Sequence, residues 1–191
     1  MRKLLIFVWE ITKMVVISLA IIIPVRYFLI QPFYVKGASM EPNFHDHEYL
    51  IIDEISYRFN EPQRGDIIVF RYPFNPQEFF IKRLIGLPGE TVQLRDGHVY
   101  VTNTEHPEGW QLPETYLDVN LQTNGFDQSS VELSADQYFV LGDNRYASKD
   151  SRSFGPVAKN FIIGRVFFRG WPFSKIQLFE GVDYPLDYQI Q

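Results

Sequence analysis

Residues 14–25 form an apolar run broken only by Ser18, and residues 27–30 extend it beyond Arg26. Crossing a bilayer as a helix takes about 20 apolar residues. The run reaches that length once residues 9–12 or 27–30 are included, so the pattern predicts a transmembrane anchor over residues 14–31 behind a short segment, 1–13. Lys13 and Arg26 then fall near the two ends, where long cationic side chains reach the headgroups. Pro24 is placed to kink the outer end. Arg2, Lys3 and Lys13 favour a cytoplasmic N-terminus, which sets residues 32–191 on the outer face; Arg26 and Lys36 pull against that orientation. A cleavable signal peptide would need a small-residue cleavage site, and none follows the run. A core helix with no polar face would be hard to bury in so small a domain.

Beyond Phe33 the pattern changes to short apolar runs between turn signals, as in an antiparallel β protein. Predicted strands cover residues 48–53, 66–72, 79–85, 91–94, 98–102, 137–141 and 162–169. The clearest hairpin is TVQLRDGHVYV: Val92 and Leu94 alternate with polar residues, Asp96-Gly97 makes the turn, and Val99 and Val101 alternate back. Pro88-Gly89 and Gly155-Pro156 punctuate other corners. Residues 103–136 are polar, with Pro107, Gly109, Pro113 and Gly125, and read as an inserted loop or small subdomain. The expected fold is mainly β: one transmembrane helix, then an antiparallel β-sheet domain.

Composition narrows the function. A chain of 191 residues holds one substantial domain, and 46% hydrophobic with 21% charged residues is a globular balance. The 17 Phe, 11 Tyr and 3 Trp suit strands and a membrane interface. A net charge of −5 argues against nucleic acid as a partner. The absence of cysteine excludes disulfides, cysteine-bound zinc and a thiol nucleophile. His45 and His47 could share a strand face as metal ligands, but no third ligand stands out, so neither metal nor cofactor is expected.

Three segments carry candidate chemistry. In GASMEP, residues 37–42, small residues before Ser39 let a substrate strand approach, and nearby amides could stabilise an oxyanion. A simple turn closed by Pro42 is the competing reading. A serine needs a base. His45-Asp46-His47 would need an awkward chain reversal to reach Ser39. Lys82, in FFIKRLIG, shares a strand face with Phe80 and Leu84, whereas Arg83 shares the other with Ile81 and Ile85. One of the two cations must therefore sit among apolar side chains. Burial lowers a lysine pKa, and a neutral Lys82 amine could take the Ser39 proton. An edge-strand or snorkelling lysine is the commoner fate of such a residue. The third segment, GDNRYASKDSR at 142–152, crowds charges and hydroxyls into one loop. Asp150 and Arg152 could brace it, and Ser148 could hold an amine. Asp143, Asn144 and Asp150 offer oxygens for calcium, but the spacing is not that of an EF-hand and three cations oppose it.

Taken in order, the anchor, GASMEP, RGDIIVF at 64–70, FIKRLIGLPGE at 80–90 and GDNRYASKDSR resemble the bacterial type I signal peptidases. The resemblance runs from about residue 14 to about residue 172. It implies a membrane-bound serine endopeptidase that removes signal peptides from exported preproteins after small residues, of the Ala-X-Ala type. It implies Ser39 as nucleophile, Lys82 as general base, Ser148 as the hydroxyl orienting the lysine, and Asp150 with Arg152 as a supporting pair. The Ser39 amide would form part of the oxyanion hole; Gly37 stands where some members carry a second serine. Val35, Met40, Phe80 and Ile81 fall where the family lines shallow apolar pockets. Preproteins, membrane lipid and proximity to the secretion translocon are the implied partners, with the catalytic domain on the outer face of the cell membrane. Asn43, His47 and Tyr146 depart from the residues common at their positions. A self-cleaving Ser/Lys protease related to the LexA repressor is the alternative enzyme, and an inactive tethered peptide binder the alternative outside catalysis.

Overall fold

The computed structural model describes residues 2–28, 30–125, 130–179 and 184. Of residues 24–28, 30 and 31 only the backbone is described, so the side chains of Pro24 and Arg26 lie outside the described residues.

Helix α1 spans Arg2–Phe28. Its stretch apolar enough to cross a membrane is Arg2–Ile23, so it begins well before Met14. The reason lies in the polar residues of its first half, which find partners within the helix. Lys13 Nζ donates to Glu10 Oε1 at 2.8 Å, and Thr12 Oγ1 donates to the Val8 carbonyl at 2.8 Å. Each partner reduces the cost of those groups in an apolar surrounding. None of the described side chains of this helix is buried. Where the apolar pattern suggested that residues 27–30 lengthen the anchor, the helix instead stops at Phe28 and strand β1, Ile30–Tyr34, begins almost at once.

The body is mainly antiparallel β. After β1 come β2 (Tyr49–Asp53), the short helix α2 (Ser56–Phe59), β3 (Ile67–Tyr72), β4 (Asn75–Gly86), β5 (Thr91–Arg95) and β6 (His98–Thr102). The insert adds β7 (Trp110–Gln111) and β8 (Ser130–Glu132), followed by β9 (Gln137–Leu141) and helix α3 (Ser151–Phe154). β10 (Val157–Ala158), β11 (Ile162–Trp171) and β12 (Gln177–Leu178) complete the described strands. Among the described residues, β1-β2-β11-β3-β4-β9-β10 form the larger sheet, with β12 also paired to β11. The smaller sheet has the order β7-β6-β5-β8. Asp96 and Gly97, at φ +52° and +78°, make the β5–β6 turn, in the left-handed conformations such a two-residue hairpin requires.

β3 shows why the larger sheet holds together. Successive strand residues face opposite ways, and here both faces are covered. Ile67 and Val69 join a core with Leu50, Ile52, Met40 and Phe44, whereas Ile68 and Phe70 join another with Leu84, Tyr138 and Val140. A third core, including Ile85, Val92, Val99 and Phe139, joins the two sheets. β4 pairs with β3 at Ile68↔Lys82 and Ile67↔Arg83; Arg83 is also paired with β9, at Leu141, whereas that pairing does not reach Lys82, which stands where the far edge of β4 becomes open.

Candidate active site

Ser39 lies in the turn after β1. Gly37, at φ +87°, starts the turn and its amide donates to Asp46 Oδ1 at 3.0 Å. Met40 and Phe44 anchor it from below, 1% and 0% exposed. Asn144 clamps it from the 142–152 loop: its amide donates to the Ser39 carbonyl (3.1 Å), and its Nδ2 donates to the Ala38 carbonyl (3.0 Å). The Ser39 amide has no hydrogen-bond partner among the described residues.

Lys82 is 3% exposed. Its Nζ lies 2.8 Å from Ser39 Oγ and donates to the Ile81 carbonyl at 2.8 Å. Burial pushes its ammonium from 10.5 down to about 8, against the opposing pull of Asp150 and then Asp143. At neutral pH roughly a tenth of such lysines carry a free lone pair, so a proton acceptor sits within hydrogen-bond reach of the hydroxyl.

Strand periodicity requires one of the two adjacent cations to sit among apolar side chains; in the structure both are enclosed, Arg83 also being 3% exposed. Burial works against its charge, but Asp143 outweighs this and raises its pKa. Arg83 Nε and Nη2 donate to the two Asp143 oxygens at 2.8 and 2.7 Å, and Nη1 donates to the Gly65 carbonyl at 3.0 Å.

The 142–152 loop closes the site. A Cβ on Gly142 would stand 2.1 Å from Ser148 Oγ and 2.4 Å from the Ser39 carbonyl oxygen, so Ser39 and Ser148 meet across a residue with room for hydrogen alone. Ser148 Oγ is buried and makes no aligned hydrogen bond among the described residues, to Lys82 or to anything else. Asp150 caps α3 and receives both Nε and Nη2 of Arg152 at 2.8 Å, with the Gly142 amide at 3.0 Å. Burial raises the Asp150 pKa, but Arg152, the Gly142 amide and the nearby Ser148 hydroxyl together hold the carboxyl below its ordinary value.

A cleft of about 670 Å³ opens onto the pair. Its walls come from residues 33–39 and from 78–82 of β4, with Leu50 and Val69 at the base and Ala147 and Lys149 from the loop. β1 and β4 are not paired with each other, and the Phe33 and Phe79 rings touch between these two stretches at 5.5 Å. Val35, Phe80 and Ile81 line the cleft; Met40 does not, being sealed in the core beneath.

The alternative chemistries lose their side chains to other partners. The Asp143 oxygens are taken by Arg83, those of Asp150 by Arg152, and Asn144 Oδ1 accepts from the Ala147 amide, which occupies the oxygens a calcium loop would need. His45 Nδ1 lies 3.4 Å from Lys175 Nζ and 3.7 Å from Glu48 Oε1, and His47 Nδ1 lies 3.1 Å from Asp46 Oδ2. His47 also adopts φ +69°, a conformation glycine takes at no cost. Asn43 bridges the Tyr116 carbonyl (3.0 Å) and Asp143 Oδ2 (2.8 Å), and Tyr146 is exposed. The pattern of residues did not single out Arg83, Asp143, Asn43 and Asn144 as site-builders. A lysine-arginine pair inside an apolar strand was the one signal that a buried carboxylate had to be found.

Residues 8–171 match the family described as signal peptidase, peptidase S26, and the chain belongs to that family. The probable signal peptidase I-2 of Synechocystis sp. is 37% identical over 174 residues, 88% of this chain and 76% of the relative. Signal peptidase I of Leptolyngbya laminosa is 38% identical over 172 residues, 86% and 80%. Signal peptidase IB of Staphylococcus aureus is 33% identical over 174 residues, 85% and 89%. A crystal structure of a signal peptidase I from Enterococcus faecalis V583 is 35% identical and covers 56% of this chain and 97% of that one, with a TM-score of 0.46.

Proposed function

We propose that this protein is a membrane-anchored serine endopeptidase that removes signal peptides from exported preproteins, with Ser39 as nucleophile and Lys82 as general base. The observation that carries the reading is the 2.8 Å approach of a buried amine to the Ser39 hydroxyl at the end of a peptide-sized cleft. The preprotein enters as an extended chain between the 33–39 and 78–82 stretches, which have unsatisfied strand edges to offer it. Neutral Lys82 takes the Ser39 proton as Oγ attacks the scissile carbonyl carbon. The Ser39 amide faces the oxyanion that forms. Lys82 then passes its proton to the departing amine, releasing the mature chain and leaving the signal peptide esterified to Ser39. A water, deprotonated by the same amine, hydrolyses the ester and regenerates the hydroxyl.

Ser148, whose buried hydroxyl has no aligned partner among the described residues, is the group that turns to steady the Lys82 amine during the reaction, and the Asp150–Arg152 pair braces its loop. Val35, Phe80 and Ile81 set shallow apolar pockets that favour small side chains such as alanine before the cut, and Met40 shapes them from beneath. The helix over residues 2–23 holds the enzyme in the cell membrane with its N-terminus inside, so that preproteins are met near the lipid surface and the translocon. The test is detergent-solubilised protein incubated with an Ala-X-Ala preprotein and sequencing of the new N-terminus. A single cut after the second alanine, abolished by Ser39→Ala, is expected. Scattered cuts in an ordinary unfolded protein, or cleavage surviving Ser39→Ala, would overturn the reading.

A further inference from the structure

The polar insert at residues 103–136 is built into the ground beneath the active site, at the point where the three catalytic segments converge. Arg145, two residues from Asp143, has a fully buried side chain, and Glu114 of the insert is its counter-ion. Arg145 Nη1 donates to Glu114 Oε2 at 2.9 Å, Nη2 pairs with Oε1, Nη1 also meets Thr123 Oγ1, and Nε donates to the Gly142 carbonyl at 3.1 Å. Tyr116 Oη donates to Glu114 Oε1 at 2.6 Å. The same Tyr116 lays its ring 3.8 Å from the Arg83 guanidinium carbon and gives its carbonyl to Asn43.

One short stretch of the insert thus touches the turn that carries Ser39 through Asn43, the strand that carries Lys82 through Arg83, and the loop that carries Ser148 through Arg145. A buried guanidinium without a carboxylate is strongly unfavourable. With Glu114 neutralised, the nearby carboxylate left to Arg145 is Asp143, whose oxygens already serve Arg83 and Asn43. Two arginines would then compete for one carboxylate, and the competition would be settled by moving Gly142 or the Lys82-Arg83 stretch.

We propose that Glu114 is a positioning residue for the reaction. By keeping Arg145 off Asp143 it fixes the spacing of Ser39, Lys82 and Ser148. This rests on the Ser39–Lys82 reading given above. Glu114 does not line the cleft, so its loss should spare substrate binding and slow the chemical step, because displacements near 1 Å at reacting atoms cost up to about a hundredfold.

The test compares full-length wild type with Glu114→Gln in detergent, on the Ala-X-Ala preprotein, with the folded fraction fixed by near-ultraviolet circular dichroism. The expected result is a kcat per folded molecule lowered about 10- to 100-fold, with KM within about twofold of wild type. An unchanged kcat per folded molecule, or a rise in KM that accounts for the whole loss, would overturn the proposal. Should Glu114→Gln not fold, Thr123→Val removes one Arg145 acceptor at nearly constant volume and is judged by the same criterion at smaller amplitude. If wild type itself does not cut the preprotein, the peptidase reading fails. If wild type cuts and Glu114→Gln matches it, the positioning role alone fails.

Discussion

On one face of β4, Lys82 is enclosed beside the Phe80 ring, with a hydroxyl and a carbonyl as its hydrogen-bond partners among the described residues. On the other face, one residue along, Arg83 is enclosed to the same degree but grips both oxygens of Asp143 and rests on Tyr116. The burial is equal and the outcome opposite: Lys82 is brought down to about 8, and Arg83 is held charged. The guanidinium is the stronger base to begin with, and Asp143 more than offsets its desolvation, whereas the carboxylates near Lys82 offset that of the amine only in part. Asp143 and Asp150 lie close enough to oppose the Lys82 shift, but Arg83 and Arg152 hold both away from direct contact with the amine.

Replacing the free cation should have the largest effect. Lys82→Met should reduce cleavage by about ten-thousandfold, the upper range for loss of a general base, as read by initial rates at pH 8. The same variant should be more stable than wild type at pH 7. Lowering a lysine from 10.5 to about 8 costs the folded state roughly 3 kcal/mol, and methionine removes that cost. The sign follows from proton binding. Between about 8 and 10.5 the unfolded chain holds the Lys82 proton and the folded chain does not, so wild-type stability rises with pH across that window. The gap between variant and wild type should be full below pH 8 and close as pH approaches 10.5. A gap independent of pH in thermal unfolding would refute the burial account.

Breaking the paired face should harm the fold more than the chemistry. Asp143→Asn leaves Arg83 buried without its counter-ion, and a loss of about 3–5 kcal/mol is expected in chemical denaturation. A smaller effect is pH control of the rate. Below about pH 8, kcat/KM should rise close to tenfold per unit and then level, because only neutral Lys82 can accept the proton. A profile flat from mildly acid to alkaline pH would exclude lysine as the base. Smallest of all, His45→Ala should stay within about twofold of wild type in the cleavage assay, since His45 is engaged with Glu48 and Lys175.

The strands were legible because their side chains follow strict local periodicities: Val92, Leu94, Val99 and Val101 alternate in sequence and meet across one hairpin. β1 was not, because the apolar run ends at Ile30 and Gln31-Pro32 break any alternation, so that only tertiary pairing with β2 marks residues 30–34 as a strand. The start of α1 was likewise obscured by Glu10 and Lys13, whose mutual pairing a hydrophobicity pattern does not register. At the site, Ser39 and Lys82 stood out as small-residue and apolar-strand anomalies. The partners that hold them did not, since Asn43, Arg83 and Asp143 owe their roles to contacts between segments far apart in the chain. The insert gave no chemical sign at all. Glu114 reads as an ordinary surface acid until Arg145 is seen against it.

Gly142 carries a consequence for how this sequence can drift. Ser39 and Ser148 approach from either side of it until not even a methyl group fits between them. In a saturation library selected for secretion, that position should return glycine and nothing else, while exposed Tyr146 four residues later tolerates most replacements. The Ser39 turn and the 142–152 loop thus share a single mutational fate, although about a hundred residues separate them.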